Sequence, residues 1–378
     1  KNNNFRNPQP MWIWRKLNFN SIKHFGNKFG NKYQKKNIVG GNLSYKKNIG
    51  KKVKTKKTKK IKKRNKELKK SKVKKDNLNK KINNNSNNKF NDIYNPKFIV
   101  KPVFIGDRKI NVIRDDLLEA GSKQRAMIPF FKNHKSTEFV YVSPFTGSAQ
   151  ITLAYSALVT GKKVTVFMDK RRPRHPLTIK ALSYGVLNLI EVPYGNFKKL
   201  NKMADNYVTK IKKEKGNDYI THFSLGFANK EYIKLLSTQF KNALPNELVK
   251  NSPARIWVPT GSTALLNALY DVFPNTHFLA VQTGKTVWDD QIDLNRTTLY
   301  RSEEFFYDYA KEQPPFPTTK TYDAKSWTFV KQFGKDGDLL LNITKDPNKK
   351  EIIMYKNKIN ENNKKKPYDM TNRQNTYL

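Results

Sequence analysis

Cysteine is absent from the 378 residues, which excludes disulfides, thiolate catalysis and cysteine-ligated zinc. The five histidines are scattered, and none stands at a metal-ligand spacing. No run of about 18 apolar residues occurs, so the sequence predicts no membrane-spanning helix. No Ser/His/Asp arrangement and no nucleotide-binding glycine fingerprint emerges. Acidic residues are scarce at one end: the first is Glu67.

What is present in their place is basic charge, unevenly distributed. Residues 1–100 carry 31 Lys+Arg against 3 Asp+Glu, residues 101–350 carry 38 against 24, and the last 28 residues carry 6 against 3. More than half of the net charge of +45 therefore lies in the first quarter of the chain. Lysines and arginines there are interleaved with Trp12, Trp14, Phe19, Phe25, Phe29, Tyr33 and Tyr45 before a run containing Lys51, Lys52, Lys54, Lys56, Lys57, Lys59, Lys60, Lys62, Lys63 and Arg64. Like charges this dense cannot pack a core and predict an extended arm over residues 1–95. Such an arm suits a polyanion: lysines release counterions from phosphates and aromatics stack on bases. A solvated tail and a mitochondrial presequence remain the alternative readings. A membrane surface is disfavoured because the arm has no amphipathic apolar face. Arg171, Arg172 and Arg174 form a second basic cluster, either facing RNA or lying in a solvated loop.

From Pro96 the pattern changes to short apolar runs alternating with helix-period stretches. The expected strands are Phe98–Phe104, Phe139–Val142, Val164–Phe167, Leu187–Glu191, Arg255–Val258, Phe278–Val281 and Leu339–Asn342. The expected helices are Ser122–Phe131, Ala149–Val159, Pro176–Tyr184, Lys199–Lys213, Glu231–Asn242, Thr263–Val272 and Ala324–Gln332. This alternation over residues 96–344 predicts an α/β domain with parallel or mixed sheets. Residues 345–378 are polar and basic and predict a further extended tail.

Several motifs carry possible chemistry. Arg114-Asp115-Asp116-Leu117 is followed by a glycine turn and Gly121-Ser122-Lys123-Gln124-Arg125. Ser143-Pro144-Phe145-Thr146-Gly147-Ser148 opens a small-residue helix. Val258-Pro259-Thr260-Gly261-Ser262-Thr263 runs from a strand into a helix N-terminus, a natural anion cradle because free N–H groups and the helix dipole face one point. In this order the motifs resemble those of the fold-type II (tryptophan-synthase-β-like) pyridoxal-phosphate (PLP) enzymes, in the aminocyclopropane-carboxylate deaminase and D-cysteine desulfhydrase branch. The resemblance covers about 250 of the 378 residues and implies a two-lobed fold, with a small lobe at roughly residues 140–195.

It also implies roles. Lys123 matches the lysine that forms the Schiff base with PLP, and a positive helix end favours the neutral amine needed there. Thr146, Gly147 and Ser148 match the loop that holds the substrate carboxylate beside the cofactor. Thr260, Gly261, Ser262 and Thr263 match the phosphate turn. Two departures stand out: Gly147 occupies the place of an asparagine found in many members, and Asn342 or Thr344 stands where a Ser or Thr usually adjoins the pyridine nitrogen.

Two functions follow. In the first, the chain is an RNA-binding structural component of a large ribonucleoprotein, a mitochondrial ribosome in the matrix, contacting rRNA and neighbouring ribosomal proteins through its arm. In the alternative, it is an active PLP-dependent lyase or deaminase acting on an amino acid, with a basic extension.

Overall fold

Glu138-Phe139-Val140-Tyr141-Val142 is buried at every position, as a strand must be when helices cover both faces of its sheet. The computed structural model describes residues 93–284 and 286–365, and within them such runs build two sheets. The first has six strands in the order β1-β2-β10-β7-β8-β9: β1 (Val100–Ile105), β2 (Arg108–Arg114), β7 (Arg255–Thr260), β8 (His277–Gln282), β9 (Thr297–Arg301) and β10 (Leu339–Asn342). β1 and β2 pair antiparallel, and the remaining neighbours are parallel. The second sheet is wholly parallel, ordered β5-β4-β3-β6, from β3 (Glu138–Val142), β4 (Lys163–Asp169), β5 (Leu187–Val192) and β6 (Ile220–Phe223).

The helices are α1 (Gln124–Asn133), α2 (Ala149–Thr160), α3 (Pro176–Ser183), α4 (Phe197–Lys215), α5 (Lys230–Ala243), α6 (Asn246–Lys250), α7 (Ala264–Val272), α8 (Ser326–Phe333) and α9 (Lys349–Lys365). One apolar core runs between the sheets and takes side chains from α1, α2, α3, α5 and α7. Phe131, Phe139 and Phe223 stack at its centre, with ring centroids 3.9 and 5.3 Å apart along the series. α4 closes the outer face of the second sheet through Leu200, Ala204, Val208 and Ile211. α8 does the same for the first sheet through Trp327 and Val330. No helix among the described residues is long and apolar enough to cross a membrane.

All seven expected strands and seven expected helices are present, with ends displaced by a few residues. Three strands, β2, β6 and β9, lie outside the expected set. The second sheet extends to Phe223, beyond residue 195. The basic arm and its lysines from Lys51 to Lys63, with Arg64, lie outside the described residues.

The expected extended tail is corrected over residues 349–365, which form a helix. Its start is fixed by a reciprocal pair: Glu351 N–H donates to Asn348 Oδ1, and Asn348 N–H donates to Glu351 Oε2. Ile352, Tyr355, Ile359 and Asn362 then form a narrow less-exposed stripe. α9 packs on α3, where Asn362 donates to the Ser183 carbonyl.

Candidate active site

The Arg114-Asp115-Asp116 motif is structural. Asp115 receives a two-pronged ion pair from Arg125, at 2.7 and 3.1 Å, and both side chains are buried. The Arg125 guanidinium also donates to Asn95 Oδ1 and the Pro96 carbonyl, so its buried charge is satisfied. Asp116 pairs with Arg114 at 2.7 and 2.8 Å. The start of α1 is thereby locked against the end of β2. Gly121 completes the turn at φ +71°; a Cβ there would lie 2.6 Å from the Ile343 carbonyl oxygen. Ser122 N–H donates to that same carbonyl. These contacts place Lys123 immediately before α1, facing a cleft between the two sheets.

The cleft holds a cavity of about 670 Å³, bordered by Lys123, Thr146, Gly147, Ser148, Gly261, Ser262 and Tyr322, among others. A recess of about 20 Å³ adjoins it, lined by Lys123, Thr260, Gly261, Ser262 and Thr263. Lys123 is the charged side chain among the described lining residues, and its Nζ has no hydrogen bond or ion pair among them. Burial lowers its pKa below the ordinary lysine value, with the nearby Asp323 charge opposing the shift. Two helix N-termini border the same space, those of α2 at Ala149 and α7 at Ala264. Their dipoles and unpaired N–H groups favour anions. Thr263 adopts a left-handed φ of 61° to turn the chain into α7.

The β6–α5 loop braces the 260–263 turn from the second sheet. Gly226 has φ +76°, and a Cβ there would stand 2.1 Å from Ser262 Cβ. Ser262 Oγ donates to the Gly226 carbonyl at 3.2 Å, and Gly226 N–H donates to Tyr141 Oη at 3.1 Å. Burial of the Tyr141 hydroxyl outweighs that hydrogen bond and pushes its pKa up to about 12. Gly261 is equally confined, since a Cβ would approach Tyr322 Oη at 2.7 Å.

Asp323 carries no signal in the sequence. It is buried, its Oδ2 accepts from Thr344 N–H, and its Oδ1 has no partner. Burial raises its pKa to about 7, opposed by the Thr344 hydrogen bond and by the charge of Lys123. It follows Tyr322, a cavity-wall residue, in the segment Thr319–Lys325, where no periodic pattern marks it. Asn342, by contrast, is not at the cavity wall: it donates to the Pro317 carbonyl at 2.8 Å, and its Oδ1 is buried without a partner. Thr344 reaches the site only through its backbone N–H, which holds Asp323.

Gly147 has little room for a side chain, because a Cβ would lie 3.0 Å from both Pro144 Cγ and Ser143 Oγ. Its N–H donates to the Pro144 carbonyl. On this loop Thr146 and Ser148 are the polar side chains that line the cavity.

The second basic cluster does not line the cavity, although the Arg171 guanidinium lies 5.4 Å from the centre of the Phe145 ring on this loop, and it is engaged by carboxylates. Arg171 pairs with Asp169 at 2.6 Å. Arg172 and Arg174 both grip Glu191, each through two hydrogen bonds. Partial burial would raise the Glu191 pKa, but the two arginines hold it down at about 2.

No family model matches the sequence, and no curated protein does. Solved structures do match. An ACC deaminase homologue shares 13% identity at a TM-score of 0.55, covering 71% of this chain and 95% of its own. Diaminopropionate ammonia lyase of Escherichia coli shares 12% at 0.45, over 71% and 87%. O-ureido-L-serine synthase shares 13% at 0.49, over 67% and 90%. The first match establishes the fold: the two sheets, one mixed and one parallel, have the tryptophan-synthase-β-like architecture of fold-type II PLP enzymes.

Proposed function

We propose that this domain binds pyridoxal phosphate and acts on an amino acid as a lyase or deaminase. The observation that carries this reading is Lys123: a lysine with a lowered pKa and no partner, opening on a cavity bordered by two helix N-termini. An amine held this way is available as a nucleophile toward a carbonyl. The donor set fits the cofactor. Gly261, Ser262 and Thr263 offer a turn without bulk at the α7 N-terminus for its phosphate, and Lys123 would hold its carbonyl carbon. Thr146, Ser148 and the α2 N-terminus would take the carboxylate of the amino acid.

Bound there, the cofactor would supply an electron sink for negative charge at the substrate's α-carbon. The protein's own part is positional and acid–base. Lys123 Nζ, once neutral, can take a proton within the cavity. The Asp323 charge favours the ammonium and so sets how readily that proton is retained. The α2 and α7 N-termini would each hold one of the two anionic groups.

Incubation with pyridoxal phosphate should give a yellow protein, and borohydride reduction should fix the added mass on Lys123, located by peptide mass spectrometry. Lys123→Ala should remain colourless. Wild-type colour in that variant would sink the assignment.

A second reading, an RNA-binding component of a ribonucleoprotein such as a mitochondrial ribosome, is favoured by one specific observation. The excess of 28 basic charges in residues 1–100 is far more than a PLP enzyme requires. Gradient sedimentation of native lysate at low and high salt separates the two readings. Migration with a ribosomal subunit supports the RNA role, and a light, salt-independent peak supports a free enzyme.

A further inference from the structure

α4 carries seven lysines in nineteen residues, Lys198, Lys199, Lys202, Lys210, Lys212, Lys213 and Lys215, against Asp205 and Glu214. Its apolar stripe, Leu200, Ala204, Val208 and Ile211, is buried against the second sheet. At 100° per residue the opposite, solvent-facing stripe is centred on Lys198, Lys199, Lys202, Asn206, Thr209 and Lys213. None of those four lysines has a carboxylate partner among the described residues. The acid flanking the stripe is already engaged, as Asp205 contacts His222 Nδ1 at 2.9 Å. Nearby carboxylates are engaged too: Glu191 by Arg172 and Arg174, and Asp169 by Arg171. Glu214 lies at the edge, near the C-terminal end of the helix.

A separate feature stands at the head of this helix. Tyr194 is 97% exposed, the most exposed of the large hydrophobic residues described. It is held at φ 52°, a conformation an aromatic residue rarely adopts. The turn is pinned on both sides. Gly195 N–H donates to Asp169 Oδ1, and Asn196 Oδ1 accepts from Lys199 N–H to cap α4. Strain of this sort persists where the surroundings impose it, and is concentrated at functional positions.

We propose that α4 and Tyr194 form a binding site for single-stranded nucleic acid, with the lysine stripe tracking phosphates and the Tyr194 ring stacking on a base. Lysines three and four residues apart stand about 5–6 Å from one another on a helix, close to the reach between successive phosphates of an extended strand. A basic groove or stripe with a stacking aromatic is the arrangement by which sequence-tolerant single-strand binders work. A membrane surface is the poorer partner, because a helix that lies in a bilayer needs its apolar face free, and that of α4 is committed to the core. None of the four stripe lysines lines the cavity around Lys123, although Phe197 and Asn201 of the same helix do.

The test uses the full chain and an oligouridylate probe, with affinity followed by fluorescence anisotropy across a salt series. The arm contributes its own salt dependence, so the informative quantity is the change produced on α4. Replacing Lys198, Lys199, Lys202 and Lys213 together by Gln should lower the magnitude of the log–log salt slope by about 2–3, at roughly 0.7 for each phosphate no longer neutralised. Tyr194→Ala should weaken binding about 5-fold or more, while Tyr194→Phe should retain it. Ultraviolet cross-linking should mark the peptide containing Tyr194. An unchanged affinity and slope in the quadruple variant, or cross-links confined to residues 1–92, would overturn the proposal. So would a quadruple variant that loses binding to phosphatidylserine vesicles but keeps its oligouridylate affinity. The Tyr194 variants and the cross-link decide the matter if the quadruple variant fails to fold.

Discussion

Burial pushes Lys123 and Asp323 towards their neutral forms from opposite directions, and each charge partly restrains the other's shift. The consequences for pH have definite signs. Asp323 keeps its proton up to about pH 7 in the folded chain, whereas an unfolded aspartate releases it near pH 4. Between those values the folded state binds more protons than the unfolded one, so this group's contribution to stability falls as pH rises from about 4 to 7. Asp323→Asn should flatten that part of a melting-temperature profile. It should also remove the charge that favours the Lys123 ammonium. The pH dependence of cofactor capture, read as the rate at which the visible band grows, should therefore move to lower pH. A profile that stays in place would break the proposed coupling. Lys123 is legible in the sequence because Arg114-Asp115-Asp116-Leu117 and the following Gly121-Ser122-Lys123-Gln124-Arg125 turn together resemble a known motif. Asp323 is not, because its importance comes from chain ends that meet only in the fold: the Thr344 N–H at the end of β10 and the lysine before α1.

Elements are legible in proportion to how far their pattern stands above the background. β3, β7 and β8 are short apolar runs buried along most of their length, and they read as strands directly. β6 has only four residues with a half-exposed middle, and β9 alternates weakly; their identity comes from neighbours in the sheet. α9 escapes the pattern for the opposite reason. Its buried stripe is narrow, and lysine and asparagine dominate the rest. Tyr355 is the anchor, 8% exposed, so Tyr355→Ala should cost about 2–4 kcal/mol, measured by denaturant unfolding. A loss below about 0.5 kcal/mol would mean that α9 is not anchored through Tyr355. The glycines permit a sharper comparison. Gly161 ends α2 at φ +70° with open space around its Cβ position, so Gly161→Ala should cost only the backbone strain, about 1–2 kcal/mol. Gly226→Ala adds a collision with Ser262 to the same kind of strain. It should displace the 260–263 turn and weaken pyridoxal-phosphate affinity, whereas Gly161→Ala should leave that affinity intact. Equal cofactor binding in both variants would show that the turn does not depend on the Gly226 brace.

At the scale of the whole chain the governing fact is that charge is segregated. Residues 101–350 hold the fold and a net charge of +14, while the first 100 residues hold +28. A field of that size cannot be a by-product of the cavity, because among the described residues lining it only Lys123 is charged. The proposed cofactor binding and the proposed polyanion binding can therefore be separated by deletion. Removing residues 1–92 should leave PLP capture unchanged, since Lys123, the 260–263 turn and the α2 N-terminus all belong to later residues. The same deletion should remove most of the affinity for single-stranded RNA at low salt and reduce the salt slope steeply, because each phosphate no longer neutralised lowers it by about 0.7. What remains should be the shallow slope of α4, abolished in turn by replacing Lys198, Lys199, Lys202 and Lys213. If the truncated chain bound RNA with the full-length slope, the arm would have no part in binding. If it lost cofactor capture while still folded, the arm would belong to the catalytic unit, and the division of labour between the two ends of the chain would fail.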